Sequence, residues 1–239
     1  MGSNPNAASD GFKLTSVASV VIRHPSPNFG PRRNGERPSL VVLHYTEMLS
    51  TQAALQRLCD PGAEVSSHYL IGRDGALWQL VDDKHRAWHA GQGEWLGRGD
   101  VNSRSIGIEL DNDGASPFSA PLMQTLESCL AAILSRWDIP PSGVIAHSDM
   151  APERKIDPGP RFDWQRLARS GLSIWPDQSG SPATALSTSL DALGYPKIHA
   201  SQRLDAFRLR FRPGTTGPES DGDRRAADSL AKIHHTFEK

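Results

Sequence analysis

An α/β fold followed by a small C-terminal three-helix module is what this sequence predicts, and three observations carry the prediction. Short apolar runs of strand length alternate with stretches of helical spacing from residue 40 to about residue 170. An Asp-Gly pair, Asp74-Gly75, joins two strand-like runs, the strongest short-range hairpin signal. Beyond about residue 176 only helical patterns remain.

Residues 1–36 lack hydrophobic periodicity and are rich in Asn, Pro, Gly and Arg, so they read as an irregular leader. The first strong strand is Leu40–Tyr45, an apolar run suited to burial on both faces. Ser50 or Thr51 can cap a helix running to about Cys59, with Leu55 and Leu58 inward, and Asp60-Pro61-Gly62 stops it. Residues 68–73 and 76–81 form the hairpin, and residues 84–103 read as a loop. Ile106, Ile108 and Leu110 alternate with Gly107 and Glu109, which puts Glu109 on the face opposite the isoleucines. Ser119 and Pro121 open a helix to about Trp137, whose Leu122, Leu126, Leu130 and Ile133 follow helical spacing. Residues 144–147 read as another buried strand, 148–163 as an irregular loop, and 163–170 as a short helix.

A domain organisation follows: leader 1–36, a main domain 37–175, a linker 176–182 and a helical module 183–239. In the module, Leu186, Leu190 and Leu193 share one face, as do Leu204, Phe207 and Phe211, and a third stretch carries Ala227, Leu230 and Ile233. About 60 residues is near the lower limit for independent folding, so docking onto the main domain is expected.

Composition narrows the function. The 239 residues carry 26 Lys+Arg against 27 Asp+Glu, a net charge of −1, which lacks the basic footprint of a nucleic-acid binder. No apolar run approaches the roughly 18 residues of a membrane span. The first residues show no apolar signal segment, which favours a cytoplasmic setting, with the periplasm as the alternative. Cys59 and Cys129 read as buried free thiols, with a disulfide between them as the alternative, and no CxxC pair offers a cysteine zinc site.

The chemistry-bearing residues sit at strand ends. His44 ends one buried strand and His147 another, where α/β folds place reactive groups, and Asp157 follows in a Pro-rich loop. Two imidazoles and one carboxylate make a catalytic Zn2+ set with a fourth position open to water. Glu109 is suited to carry a proton from that water to a leaving amine, and Lys155 to face a developing oxyanion. From spacing alone the set is diffuse. A lone His at a strand end is more often a structural or solvent-facing residue, Glu109 taken singly reads first as a solvated strand charge, and Lys155 as a surface lysine.

The order of the motifs is far more specific. VVLHYT (41–46), SSHYLIGRDG (66–75), RAWHAG (86–91), NSRSIGIEL (102–110) and AHSDMAPERKIDPG (146–159) together resemble the zinc-dependent N-acetylmuramoyl-L-alanine amidases of the AmpD-like, amidase type 2 group. Their fold is shared with peptidoglycan recognition proteins. The resemblance implies a mixed central β-sheet flanked by helices. It implies one Zn2+ per chain held by His44, His147 and Asp157, with Glu109 and Lys155 catalytic. It also implies hydrolysis of the amide between N-acetylmuramic acid, or its 1,6-anhydro form, and L-alanine of a peptidoglycan stem peptide. The C-terminal runs LDALGYP (190–196) and LDAFRLRFRP (204–213) are similar to a peptidoglycan-binding helical domain.

Within the matching motifs, His68, Trp88 and His89 either line a substrate groove or pack in the core. Asn102 and Arg104 are suited to bind a stem-peptide carboxylate, or belong to a solvated loop. A non-catalytic peptidoglycan recognition module and a zinc peptidase acting within the stem peptide are the rival readings.

Overall fold

The computed structural model describes residues 20–177, 179, 181–182 and 184–237. Residues 1–19 of the predicted leader, parts of the predicted linker and module boundary, and the last two residues lie outside the described residues.

A six-stranded mixed sheet organises the chain. Its strands are β1 (Val21–Arg23), β3 (Leu40–Tyr45), β4 (Tyr69–Ile71), β5 (Leu77–Gln79), β7 (Ser105–Leu110) and β8 (Val144–Ala146), in the order β1-β5-β4-β7-β3-β8. Only β4 and β5, the Asp74-Gly75 hairpin, pair antiparallel; the other neighbours are parallel. β2 (Phe29–Pro31) and β6 (His85–Ala87) form a separate two-stranded ribbon.

Helices cover both faces. α1 (Thr51–Cys59) starts where the Ser50 side chain accepts from Ala53 N. α3 (Ala120–Trp137) starts where Ser119 accepts from Leu122 N, with proline in its first turn, and ends at Asp138 in the left-handed region (φ 55°). Its Leu122, Leu126, Leu130 and Ile133 pack on Val41, Leu43, Ile71, Ile106 and Ile108. Leu130→Ala, at a fully buried position, is expected to cost about 2–5 kcal/mol in urea unfolding. A loss under about 1 kcal/mol would contradict this packing.

The opposite face is built differently. Leu40, Val42 and Ile145 form one apolar cluster with residues of α6 (Leu186–Leu193) and α7 (Ala200–Phe211), including Leu190, Leu204 and Phe207. Ala226, Ala227 and Leu230 of α8 (Asp221–Phe237) join them. The three predicted C-terminal helices are present and share the core of the sheet.

Three expectations are corrected. The leader is not irregular from residue 20 onward, because β1 extends the sheet edge and β2 pairs with β6. Side chains, not apolar spacing, order it. Ser26 Oγ donates to Leu58 O (2.6 Å), Asn28 Nδ2 donates to Asp60 O and Val65 O (both 2.8 Å), and Arg32 donates to Ser103 O (2.8 Å). The stretch 84–103 is not all loop: it holds β6 and the start of α2 (Val101–Arg104). His147 does not end a strand; β8 stops at Ala146, and His147 opens the single turn α4 (His147–Met150). The two cysteines are free, Cys129 buried and Cys59 half-buried, and burial pushes the Cys129 thiol up to about 12.

Candidate active site

Sheet register makes the first half of the site. His44 and Glu109 are direct neighbours across the parallel β3–β7 ladder, so both side chains leave the same face. On that face β7 also carries Gly107. A Cβ there would stand 2.4 Å from the His89 ring, so only glycine lets the imidazole lie against the strand. α4 and the loop after it supply the second half, His147 and Asp157. The Ser148 amide donates to the Asp157 carbonyl (3.0 Å), which ties the two ligand-bearing segments together.

Three donor atoms then converge. His44 Nδ1, His147 Nδ1 and Asp157 Oδ2 form a triangle with edges of 2.9, 3.0 and 3.0 Å, and all three residues are buried. One proton cannot serve three such edges; a cation can. The size suits a small ion whose bonds to imidazole nitrogen and carboxylate oxygen are about 2.0–2.2 Å.

The hydrogen bonds behind the triangle orient its imidazoles. The Ser105 hydroxyl donates to Val101 O (2.6 Å), so it accepts from His89 Nε2 (3.1 Å). His89 Nδ1 then accepts from His44 Nε2 (3.0 Å), and the His44 lone pair lies on Nδ1, toward the triangle. His147 Nε2 donates to Ala90 O (3.0 Å), which likewise turns its Nδ1 inward. Burial, and then the neighbouring His147, push the His44 imidazole down to about 4, so it is neutral near pH 7. Burial alone would raise the Asp157 carboxyl. The closeness of the His147 and His44 rings (both 3.0 Å) outweighs burial and holds it well below the usual carboxylate range.

The triangle forms part of the wall of an open groove of about 400 Å³, which Glu109, Lys155, Trp88 and His89 also line. Glu109 is not a solvated strand charge. Its Oε2 is buried with no hydrogen-bond partner among the described residues, and burial together with the Asp157 charge pushes its carboxyl well above the usual range, against the opposing pull of Lys155. Such a carboxyl, free of internal partners, is available to exchange a proton with something bound in the groove.

Three of the predicted substrate-contacting residues lie elsewhere. His68 is fully buried: its Nδ1 accepts from Gly107 N (2.9 Å) and its Nε2 donates to His85 O (3.1 Å). Burial and the Arg32 charge push it down to about 4, the state of a satisfied core histidine. Asn102 is buried, and its Oδ1 accepts from the amides of His89 (3.0 Å) and Ala90 (2.8 Å). It holds the groove segment from behind and does not face the groove. Arg104 is buried and donates to the carbonyls of Trp95 and Arg98. Backbone partners carry no sequence signature, so spacing cannot separate these roles. Spacing gives no reason to single out Arg154, although it lies in the motif of residues 146–159. It lines the groove and donates to Gln92 O (2.9 Å) and Ala90 O.

Known proteins resemble this chain over most of its length. The family model described as N-acetylmuramoyl-L-alanine amidase matches residues 34–160. The chain is 35% identical over 225 residues to the N-acetylmuramoyl-L-alanine amidase AmiD of Escherichia coli (strain K12), covering 80% of this chain and 80% of that protein. It is 36% identical over 162 residues to the 1,6-anhydro-N-acetylmuramyl-L-alanine amidase AmpD of Citrobacter freundii, covering 61% of this chain and 87% of that protein. A solved complex of E. coli AmiD with anhydro-N-acetylmuramic acid-L-Ala-D-gamma-Glu-L-Lys superposes with a TM-score of 0.73 at 32% identity, over 87% of this chain and 93% of that one. AmpDh3 from Pseudomonas aeruginosa superposes with a TM-score of 0.75 at 27% identity, over 84% and 94%. With its mixed sheet and its convergent His-His-Asp group, the chain belongs to the N-acetylmuramoyl-L-alanine amidase family.

Proposed function

We propose that this chain uses Zn2+ to hydrolyse the amide between N-acetylmuramic acid, or its 1,6-anhydro form, and L-alanine of a peptidoglycan stem peptide. The observation that carries the reading is the triangle of His44, His147 and Asp157 in the wall of a groove that Glu109 and Lys155 also line. The related AmiD was solved with an anhydromuramyl peptide described as its substrate, which supports the same substrate class here.

His44, His147 and Asp157 would hold the ion. When bound, Zn2+ supplies Lewis acidity, bringing the deprotonation of water near pH 7 and polarising an amide carbonyl. Glu109 takes the proton of the attacking water and returns it to the alanine nitrogen as the C–N bond breaks. Lys155 sets its ammonium beside the oxygen that gains negative charge. Trp88, half-buried with its backbone pinned to Ser66 (2.9 and 3.1 Å), offers a ring face to the sugar or peptide. His89 acts behind the site by fixing the His44 ring. The region 37–175 carries this chemistry, and the helices of 183–239 complete the folded unit.

Incubation with a 1,6-anhydromuropeptide, followed by mass spectrometry, tests the reading. The expected products are the anhydro sugar and the intact stem peptide. A chelator abolishes the reaction and added Zn2+ restores it. Cleavage undiminished after zinc removal would falsify the mechanism. Shortened stem peptides would make the protein a peptidase, and zinc binding without turnover would make it a recognition module.

A further inference from the structure

Asp149 takes no part in the chemistry above, yet it is completely buried and accepts three hydrogen bonds. Oδ2 accepts from Ala146 N (2.8 Å) and from Arg210 Nη1 (2.6 Å), and Oδ1 accepts from the Tyr195 hydroxyl (2.7 Å). The first bond fixes the peptide at which β8 turns into α4, the turn that carries His147. The other two come from the C-terminal region, 46 and 61 residues away along the chain.

α4 cannot hold itself in place. A single helical turn is unstable alone, because nucleation fixes several dihedrals for one hydrogen bond. Arg210 grips the strand before it as well, donating from Nη2 to Val144 O (2.8 Å) on the edge strand β8. Its guanidinium is itself clamped, 4.2 Å from the centroid of the Trp164 ring. Tyr195 packs edge-on against Trp95, and both belong to the apolar cluster that contains Met150 and Ala151. A buried Arg–Asp pair adds little net stability over an apolar pair of similar volume, so its location immediately behind a ligand-bearing turn points to a geometric role.

We propose that the C-terminal helices complete the metal centre: Arg210 and Tyr195, acting through Asp149, are positioning residues that hold the α4 turn so that His147 Nδ1 meets His44 and Asp157. The inference rests on the zinc reading above and assigns the helical region a part in metal binding whether or not it also contacts cell-wall polymer. Arg208 provides the control. It forms a buried pair of the same kind with Asp223 (2.6 Å) inside the helical region and makes no bond to the α4 turn.

The test measures zinc dissociation constants of the full chain by competition with a chromophoric chelator, and visible spectra of the Co2+-loaded protein. Both are read well below the melting temperature of each variant. Arg210→Met is expected to weaken zinc binding about 10–100-fold, the range that loss of an outer-shell partner causes, and to alter the Co2+ spectrum. Tyr195→Phe, which removes one hydroxyl and spares the fold if Arg210→Met does not, is expected to shift both readouts in the same direction by a smaller factor. Arg208→Met is expected to lower the melting temperature and leave zinc affinity and spectrum unchanged. Wild-type affinity and spectrum in folded Arg210→Met or in Tyr195→Phe would overturn the inference, as would an equal loss of affinity in Arg208→Met. A wild-type chain that binds no Zn2+ would overturn the zinc reading itself, an outcome separate from failure of the variants.

Discussion

Glu109→Ala is expected to keep its zinc and to lose about 10²–10⁴-fold in kcat, the usual worth of a positioned general acid–base group. That loss corresponds to roughly 3–5 kcal/mol of transition-state stabilisation. The separation of metal from rate follows from the structure. Glu109 stands beside His44 in the sheet register but is not a corner of the donor triangle. Zinc content after dialysis and the rate on an anhydromuropeptide check the two halves of the prediction. Retention of both zinc and rate would remove Glu109 from the mechanism.

The same residue carries a stability prediction with a defined sign. Its carboxyl is raised above the ordinary value, chiefly by burial, so the fold favours the neutral acid. The metal-free protein is therefore most favoured, as far as this group is concerned, below the ordinary carboxylate range. It loses that contribution as pH rises through the raised value. Glu109→Gln removes this dependence while keeping the shape of the side chain. Its melting temperature near pH 8 should equal or exceed that of the wild type, as expected when an unpartnered buried carboxylate is neutralised at a functional site.

His44→Ala is expected to remove metal and activity together. Loss of an outer-shell partner costs about 10–100-fold in metal affinity, and loss of a ligand should exceed the upper end of that range. The substitution also strands His89 Nδ1, which faces His44 Nε2, and so loosens the groove wall. Stoichiometric zinc in dialysed His44→Ala protein would mean that the triangle is not the binding site. Glu109→Ala and His44→Ala thus give opposite signatures, rate loss with metal retained and rate loss with metal gone.

Much of the framework was readable from local pattern. Ser119, Pro121 and the Leu122–Leu126–Leu130–Ile133 spacing mark α3 because capping and helical periodicity are properties of neighbouring residues. Asp74-Gly75 marks the hairpin for the same reason, with Gly75 at positive φ (86°). The alternation in β7 placed Glu109 away from the isoleucines. The early strands β1 and β2 were not readable, since three-residue strands show no periodicity and Ser26, Asn28 and Arg32 are ordered by distant carbonyls.

The site divides along the same line. Residue types and spacing gathered His44, His147, Asp157, Glu109 and Lys155 only as a diffuse set, and the resemblance of the ordered motifs to the amidases implied a role for each, because residue types and their order survive in the chain without its fold. Tertiary structure decided which polar residues face the groove and which face the protein. Trp88 and His89 line the groove, while His68, Asn102 and Arg104 turn to backbone groups instead. It also decided that the C-terminal helices reach Asp149 behind His147. Hydrogen bonds to carbonyls and amides far along the chain depend on how elements pack, and no pattern of neighbouring residues encodes that packing.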